Sequence, residues 1–118
     1  MALEKHIYKK KKKKVYVIQE VIGRNILGAG DFGNLEAIMP PNLNIMLCPE
    51  NAVKKMLTAL RNFSDDDHLL LMGDPALIGI ACSIASLNNS GKFKVLKWDK
   101  QECKYYSVSI NIFKKRIN

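Results

Sequence analysis

Leu69-Leu70-Leu71-Met72-Gly73-Asp74-Pro75 decides the fold of this 118-residue chain. Four consecutive apolar residues without polar alternation read as a strand covered on both faces, the pattern of a parallel sheet. Gly73 then breaks the strand. Asp74 is placed to accept a backbone N–H from the first turn of a helix, and Pro75 suits that helix's first position. A buried strand running straight into a capped helix is the junction on which α/β folds are built.

Downstream, Pro75 to Leu87 contains no charge and carries small residues at Gly79, Ala81, Ser83 and Ala85, so this helix can approach a neighbour closely. Asn88-Asn89-Ser90-Gly91 ends it, Phe93–Trp98 reads as a strand, and Asp99–Glu102 as a turn. Tyr105–Phe113 closes a hairpin, with Tyr106, Val108, Ile110 and Ile112 alternating along it. Upstream, Val53, Met56, Leu57, Leu60 and Phe63 recur at helical spacing after Pro49, while Lys54, Lys55, Thr58, Arg61 and Asn62 face away. Asn44–Cys48 is expected to be the strand before that helix. Strand, helix, strand, helix, strand from Asn44 to Trp98 requires two crossovers and hence a parallel β-α-β-α-β core. With N-terminal strands at Val15–Ile22 and Leu35–Met39 and the C-terminal antiparallel hairpin, the expectation is a single small α/β domain with a mixed sheet. Gly23–Gly33, holding four glycines, is expected to be a turn-rich connection.

Charge divides the chain in three. Residues 1–14 carry a net +6, residues 15–91 a net −4, and the part from Lys92 onward a net +6. Six adjacent lysines repel one another and bury nothing, so residues 1–14 are expected to be a mobile Lys-rich arm, 15–113 the folded domain and 114–118 a basic tail. Three cysteines, Cys48, Cys82 and Cys103, form no CxxC pair and suit a reducing, cytoplasmic setting. Neither a leader nor a membrane span is expected, since the longest uncharged run, Pro75–Gly91, is short and rich in Gly, Ser and Asn.

Motifs that suggest catalysis do not hold together. Gly28-Ala-Gly30-Asp-Phe-Gly33 spells GxGxxG and resembles the glycine-rich loop of protein kinases, yet Glu36-Ala37-Ile38-Met39 brings no phosphate-holding lysine. Pro40 also arrives too soon for a dinucleotide-binding helix, so a plain turn is expected. Ser64-Asp65-Asp66-Asp67-His68 looks like a metal cluster, but it precedes its strand and is expected to be a solvated acidic loop. His6, in the arm, and His68, in the acidic loop, are the sole histidines, and no His-based activation of a nucleophile is evident. No catalytic residue, cofactor or metal is predicted.

Two groups of residues remain as candidates. Ligands of open α/β sheets sit beyond the C-terminal ends of parallel strands, which points to Cys48, Asn51, Gly73, Asp74 and Trp98 as pocket residues. Basic residues mixed with aromatics suit single-stranded nucleic acid: Lys9, Lys10, Lys11, Lys12, Lys13 and Lys14, flanked by Tyr8 and Tyr16, then Lys92, Lys94, Lys97, Lys104, Tyr105 and Tyr106. Six phosphate contacts would give a log–log salt slope of up to about −5. Against this stands the use of lysines to block sheet edges.

Tyr16-Val-Ile-Gln-Glu-Val-Ile-Gly-Arg-Asn-Ile-Leu27, Met72-Gly-Asp-Pro-Ala-Leu-Ile-Gly79 and Leu96-Lys-Trp-Asp-Lys-Gln101, followed by Tyr105-Tyr106, resemble a small protein family of tailed phages that infect marine bacteria. The resemblance spans about residues 15–112 and implies an accessory protein made in the host cytoplasm. It implies no activity, ligand or site residue. Three readings therefore stay open: a non-enzymatic nucleic-acid binder; a protein–protein module, either a homo-oligomer or a modulator of a host or phage protein, using a sheet edge or the Gly79–Ala85 face; and a small-ligand or nucleotide binder, the one reading that leaves room for an enzyme.

Overall fold

Val15, Tyr16, Val17 and Ile18 are β-branched or aromatic, and none is more than 2% exposed, so their strand has to be covered on both faces. In the computed structural model, which describes residues 12–114, this strand, β1 (Lys14–Gln19), is indeed central. It pairs in parallel with β2 (Asn34–Met39) on one side and β3 (His68–Leu70) on the other. β4 (Lys92–Asp99) runs parallel to β3, and β5 (Lys104–Asn111) pairs antiparallel with β4. The described residues thus form one five-stranded mixed sheet of order β2-β1-β3-β4-β5, a single small α/β domain with the expected parallel core and final hairpin.

The chain steps one way from β1 to β2, then back the other way to β3 and β4. Crossovers of one hand must then lie on opposite faces. They do. Helices α1 (Pro49–Ala59) and α2 (Pro75–Asn88) pack on the face that presents Tyr16, Ile18, Leu69 and Val95. The other face, with Val15, Val17, Leu70 and Leu96, is covered by a short 3-10 helix, Leu27–Phe32, through Ala29, Ile26 and Phe32. The GxGxxG segment is therefore a structural lid on the thin side of the sheet.

Three local expectations change. Asn44–Cys48 is a turn, because Asn44 takes its own neighbours: its Oδ1 accepts from Met46 N at 3.0 Å and its carbonyl from Leu47 N at 3.1 Å. The strand entering the first crossover is consequently β2. β1 stops at Gln19 instead of Ile22, as Val21–Arg24 closes a turn. The apolar stripe of α1 is rotated: Ala52, Met56, Leu60 and Phe63 are buried, whereas Val53 and Leu57 are exposed. On α2, Ala81 and Ala85 meet the core, while Gly79 and Ser83 face outward. No helix among the described residues is long and apolar enough to cross a membrane.

Candidate functional site

At the C-terminal end of the parallel strands the order reverses between β1 and β3, the position where open α/β sheets form a crevice. A cleft of about 660 Å³ lies there, lined by Gln19, Glu20, Arg24, Leu43, Gly73 and Asp74 among others. Gln19, 5% exposed, ties its three walls together. Its Oε1 accepts from Asp74 N at 2.7 Å, and its Nε2 donates to the carbonyls of Pro40 and Leu43 at 3.1 and 3.4 Å. Gly73 has φ +110°, and a Cβ there would fall 2.3 Å from Gln19 Cβ. Asp74 caps α2, its Oδ1 accepting from Ala76 N at 2.7 Å. The cleft's buried amide and its capping carboxylate are thus occupied by the fold itself.

Of the predicted pocket residues, the structure brings Gly73 and Asp74 to this cleft. Cys48 lies at the N-terminus of α1, Asn51 lines a separate groove with Glu36 and Lys54, and Trp98 sits at the far end of β4. Gln19 was missed in the sequence, although one polar residue closing an apolar strand is its visible signal.

The opposite end of the sheet gathers charge. Lys14 opens β1, Lys92 opens β4, and the antiparallel run of β5 returns the chain to Asn111 and Lys114 beside Lys92. Lys13, His68 and Lys94, together with Asp31 and Asp66, line a depression of about 330 Å³, and Lys92, Lys94 and Lys114, together with Asp65, a neighbouring one of about 560 Å³. Lys94 is common to both. The 64–68 segment meets the same end and is the expected solvated acidic loop at Asp65 and Asp66, which are exposed, but not at Asp67 and His68, which are buried. Asp67 is fully buried and accepts from the backbone N–H groups of Lys14 and Ser64, both at 3.0 Å. His68 is 6% exposed; its Nε2 lies 2.8 Å from Ser107 Oγ and its ring packs against Phe32. Burial, reinforced by Lys94, pushes the His68 pKa below the usual imidazole range. Asp65 is held below the usual carboxylate range by the Asn89 amide and by Lys92. Among the described residues no three metal-ligating side chains come together.

The hairpin divides its predicted binding residues between two faces. Lys92, Lys94, Trp98 and Tyr105 share the face of Leu96, with Trp98 and Tyr105 in an edge contact at 4.9 Å. Lys97, Lys104 and Tyr106 lie on the face of Val95. Tyr16 is core, 2% exposed and packed on Phe63, and burial next to Asp67 and Glu36 pushes its hydroxyl up to about 12, so it offers no ring for a base. Residues 1–11 of the arm, with Lys9, Lys10, Lys11, Tyr8 and His6 among them, and residues 115–118 of the tail lie outside the described residues.

The fold and this pair of ends define a small α/β protein with a five-stranded doubly wound sheet and an antiparallel edge strand. The chain belongs to the Phage Pam3 gp32-like protein family, whose model matches residues 13–112. Comparison with curated proteins and with solved structures gave no match. Membership of a phage family agrees with the resemblance read from the sequence.

Proposed function

We propose that this phage protein is a non-enzymatic accessory factor that works in the host cytoplasm by binding the phosphate backbone of nucleic acid at the basic end of its sheet. The observation that carries the reading is the convergence at that end. The root of the Lys9–Lys14 run, Lys92 and Lys94 of β4, and Lys114 after β5 all lie there. Two well-separated basic stretches of sequence meet there because β1 and β4 run parallel, and the antiparallel return of β5 adds Lys114. Lys92 is engaged by Asp65 at 3.7 Å and Lys14 by Glu36 at 3.4 Å, so Lys12, Lys13, Lys94 and Lys114 are the residues assigned to phosphate. Such contacts position a polyanion without reading its sequence.

The cleft at the other end supports a ligand less well, because Asp74 keeps its capping bond and Gln19 spends its amide on the loops. Binding of labelled single- and double-stranded DNA and RNA by the full chain across a salt series tests the proposal. A steep log–log slope is expected, made shallower by about 1 to 2 in Lys94→Gln/Lys114→Gln, since each neutralised duplex phosphate contributes about 0.9. No binding near physiological salt, or a slope indifferent to both substitutions, would refute it.

A further inference from the structure

Aromatic rings are large apolar surfaces, and all but one of those among the described residues find cover or a partner within the fold. Tyr16 and Phe63 pack together in the core, Phe32 rests on His68, and Phe93 packs against the core from β4. Trp98 meets Tyr105 edge-on, and Tyr106 donates its hydroxyl to Glu102 while Lys104 Nζ lies 5.1 Å from its ring centre. Phe113 is the exception. It is 74% exposed, and no other ring among the described residues stacks on it.

The turn that carries Phe113 holds it in place. Lys114 N donates to Asn111 O at 3.4 Å and Phe113 N to Asn111 Oδ1 at 3.1 Å, so one asparagine closes the turn with both its main-chain and its side-chain oxygen. Across from it Gly91 has φ +80°, and a Cβ there would fall 2.5 Å from Phe113 Cδ2 and 2.6 Å from Cε2. One edge of the ring thus fills the space that a side chain at Gly91 would have taken. The rest stays in water. Asn111 and Lys114, on either side of it in the turn, line the depression of about 560 Å³ with Lys92 and Lys94. The carboxylate of that depression, Asp65, is held by Asn89 Nδ2 at 2.8 Å and by Lys92 at 3.7 Å, which leaves Lys94 and Lys114 to meet an anion. Trp98 and its partner Tyr105 lie at the other end of β4 from Lys92, roughly 20 Å away at the rise of a strand. Phe113 is therefore the ring beside the lysines.

A duplex offers phosphates but keeps its base faces stacked on one another, whereas a single strand offers phosphates and open base faces together. An uncovered ring beside lysines matches the single strand. We infer that the basic end is a site for single-stranded nucleic acid, in which Lys94 and Lys114 take phosphates and Phe113 stacks on a base. The inference rests on the phosphate-binding reading above and adds the class of nucleic acid to it.

Titration of the full chain with labelled probes of equal length tests it: a thymine DNA strand, a uridine RNA strand, an abasic strand with the same phosphates, and a duplex. A base-bearing strand is expected to bind about tenfold or more tighter than the abasic one. That preference with either sugar supports the site, and the sugar that shows it identifies the natural strand. Phe113→Leu should erase the preference and leave the salt slope and the duplex affinity unchanged, while Phe113→Trp should keep it. Equal binding of base-bearing and abasic strands, or a preference untouched by Phe113→Leu, would overturn the inference and leave the phosphate reading standing. No binding of any probe near physiological salt would remove both.

Discussion

The two ends of the sheet use polar residues for opposite purposes. At the C-terminal end, Gln19 and Asp74 turn their polar atoms inward, so that three loops from distant parts of the chain are held by four hydrogen bonds. At the N-terminal end, Asp67 does similar work for one loop, while the lysines around it stay at the surface, Lys14 and Lys92 in ion pairs with Glu36 and Asp65. One end is a structural clasp and the other a charged surface, although the fold alone would have suggested the clasp as the ligand site. Location at a switch point offers a crevice; whether its polar groups are already satisfied decides what it can hold.

This contrast requires substitutions at the clasp to be felt in stability and those at the basic end in binding. The largest effect is expected for Gly73→Ala. The new Cβ would meet Gln19 in a backbone conformation that side chains rarely adopt, and a loss of roughly 2–4 kcal/mol should appear in urea unfolding. Gln19→Met comes next, keeping the volume but leaving Asp74 N and two carbonyls without their partner, for about 2–3 kcal/mol by the same measurement. Unchanged midpoints in both variants would mean that the clasp is ornamental to the fold and its cleft free to serve a ligand.

What could be read in the sequence follows the range of the interactions. The Asp74-Pro75 junction was legible because capping links residues two apart, and the structure has that bond. The parallel core and the hairpin were legible because their apolar patterns are local. Gln19 was not, since its partners lie 21, 24 and 55 residues away and are brought together by strand order alone. His68 was assigned to solvent for the same reason: three aspartates before it set the local pattern, while its burial depends on Phe32 and Ser107. The convergence of the basic stretches could be suspected from charge but needed the order of β1, β3 and β4, and the division of the hairpin's residues between two faces needed its register.

His68 sharpens the comparison from the charged end, because it is the one buried imidazole among the described residues. Its folded pKa lies below the ordinary 6.5, so the unfolded chain takes up the proton first. Stability from this group is complete above about pH 6.5 and is lost as pH falls through the folded value. Urea midpoints should therefore decline from about pH 7 to about pH 5 more steeply in the natural chain than in His68→Gln. Equal slopes would show that the imidazole is hydrated in solution.

The smallest expected effect on stability separates the two ends most directly. Arg24 lines the clasp's cleft and Lys94 the two depressions of the basic end, so Arg24→Gln and Lys94→Gln each remove one positive charge. Both should leave unfolding within about 0.5 kcal/mol, as surface changes usually do. Only Lys94→Gln should lower the salt slope of duplex binding, by about 0.9. An equal drop in both variants would mean that the protein answers to net charge alone and that its basic end is not a surface of its own. A drop confined to Arg24→Gln would return the switch-point cleft to first place, with the polyanion lying across the clasp.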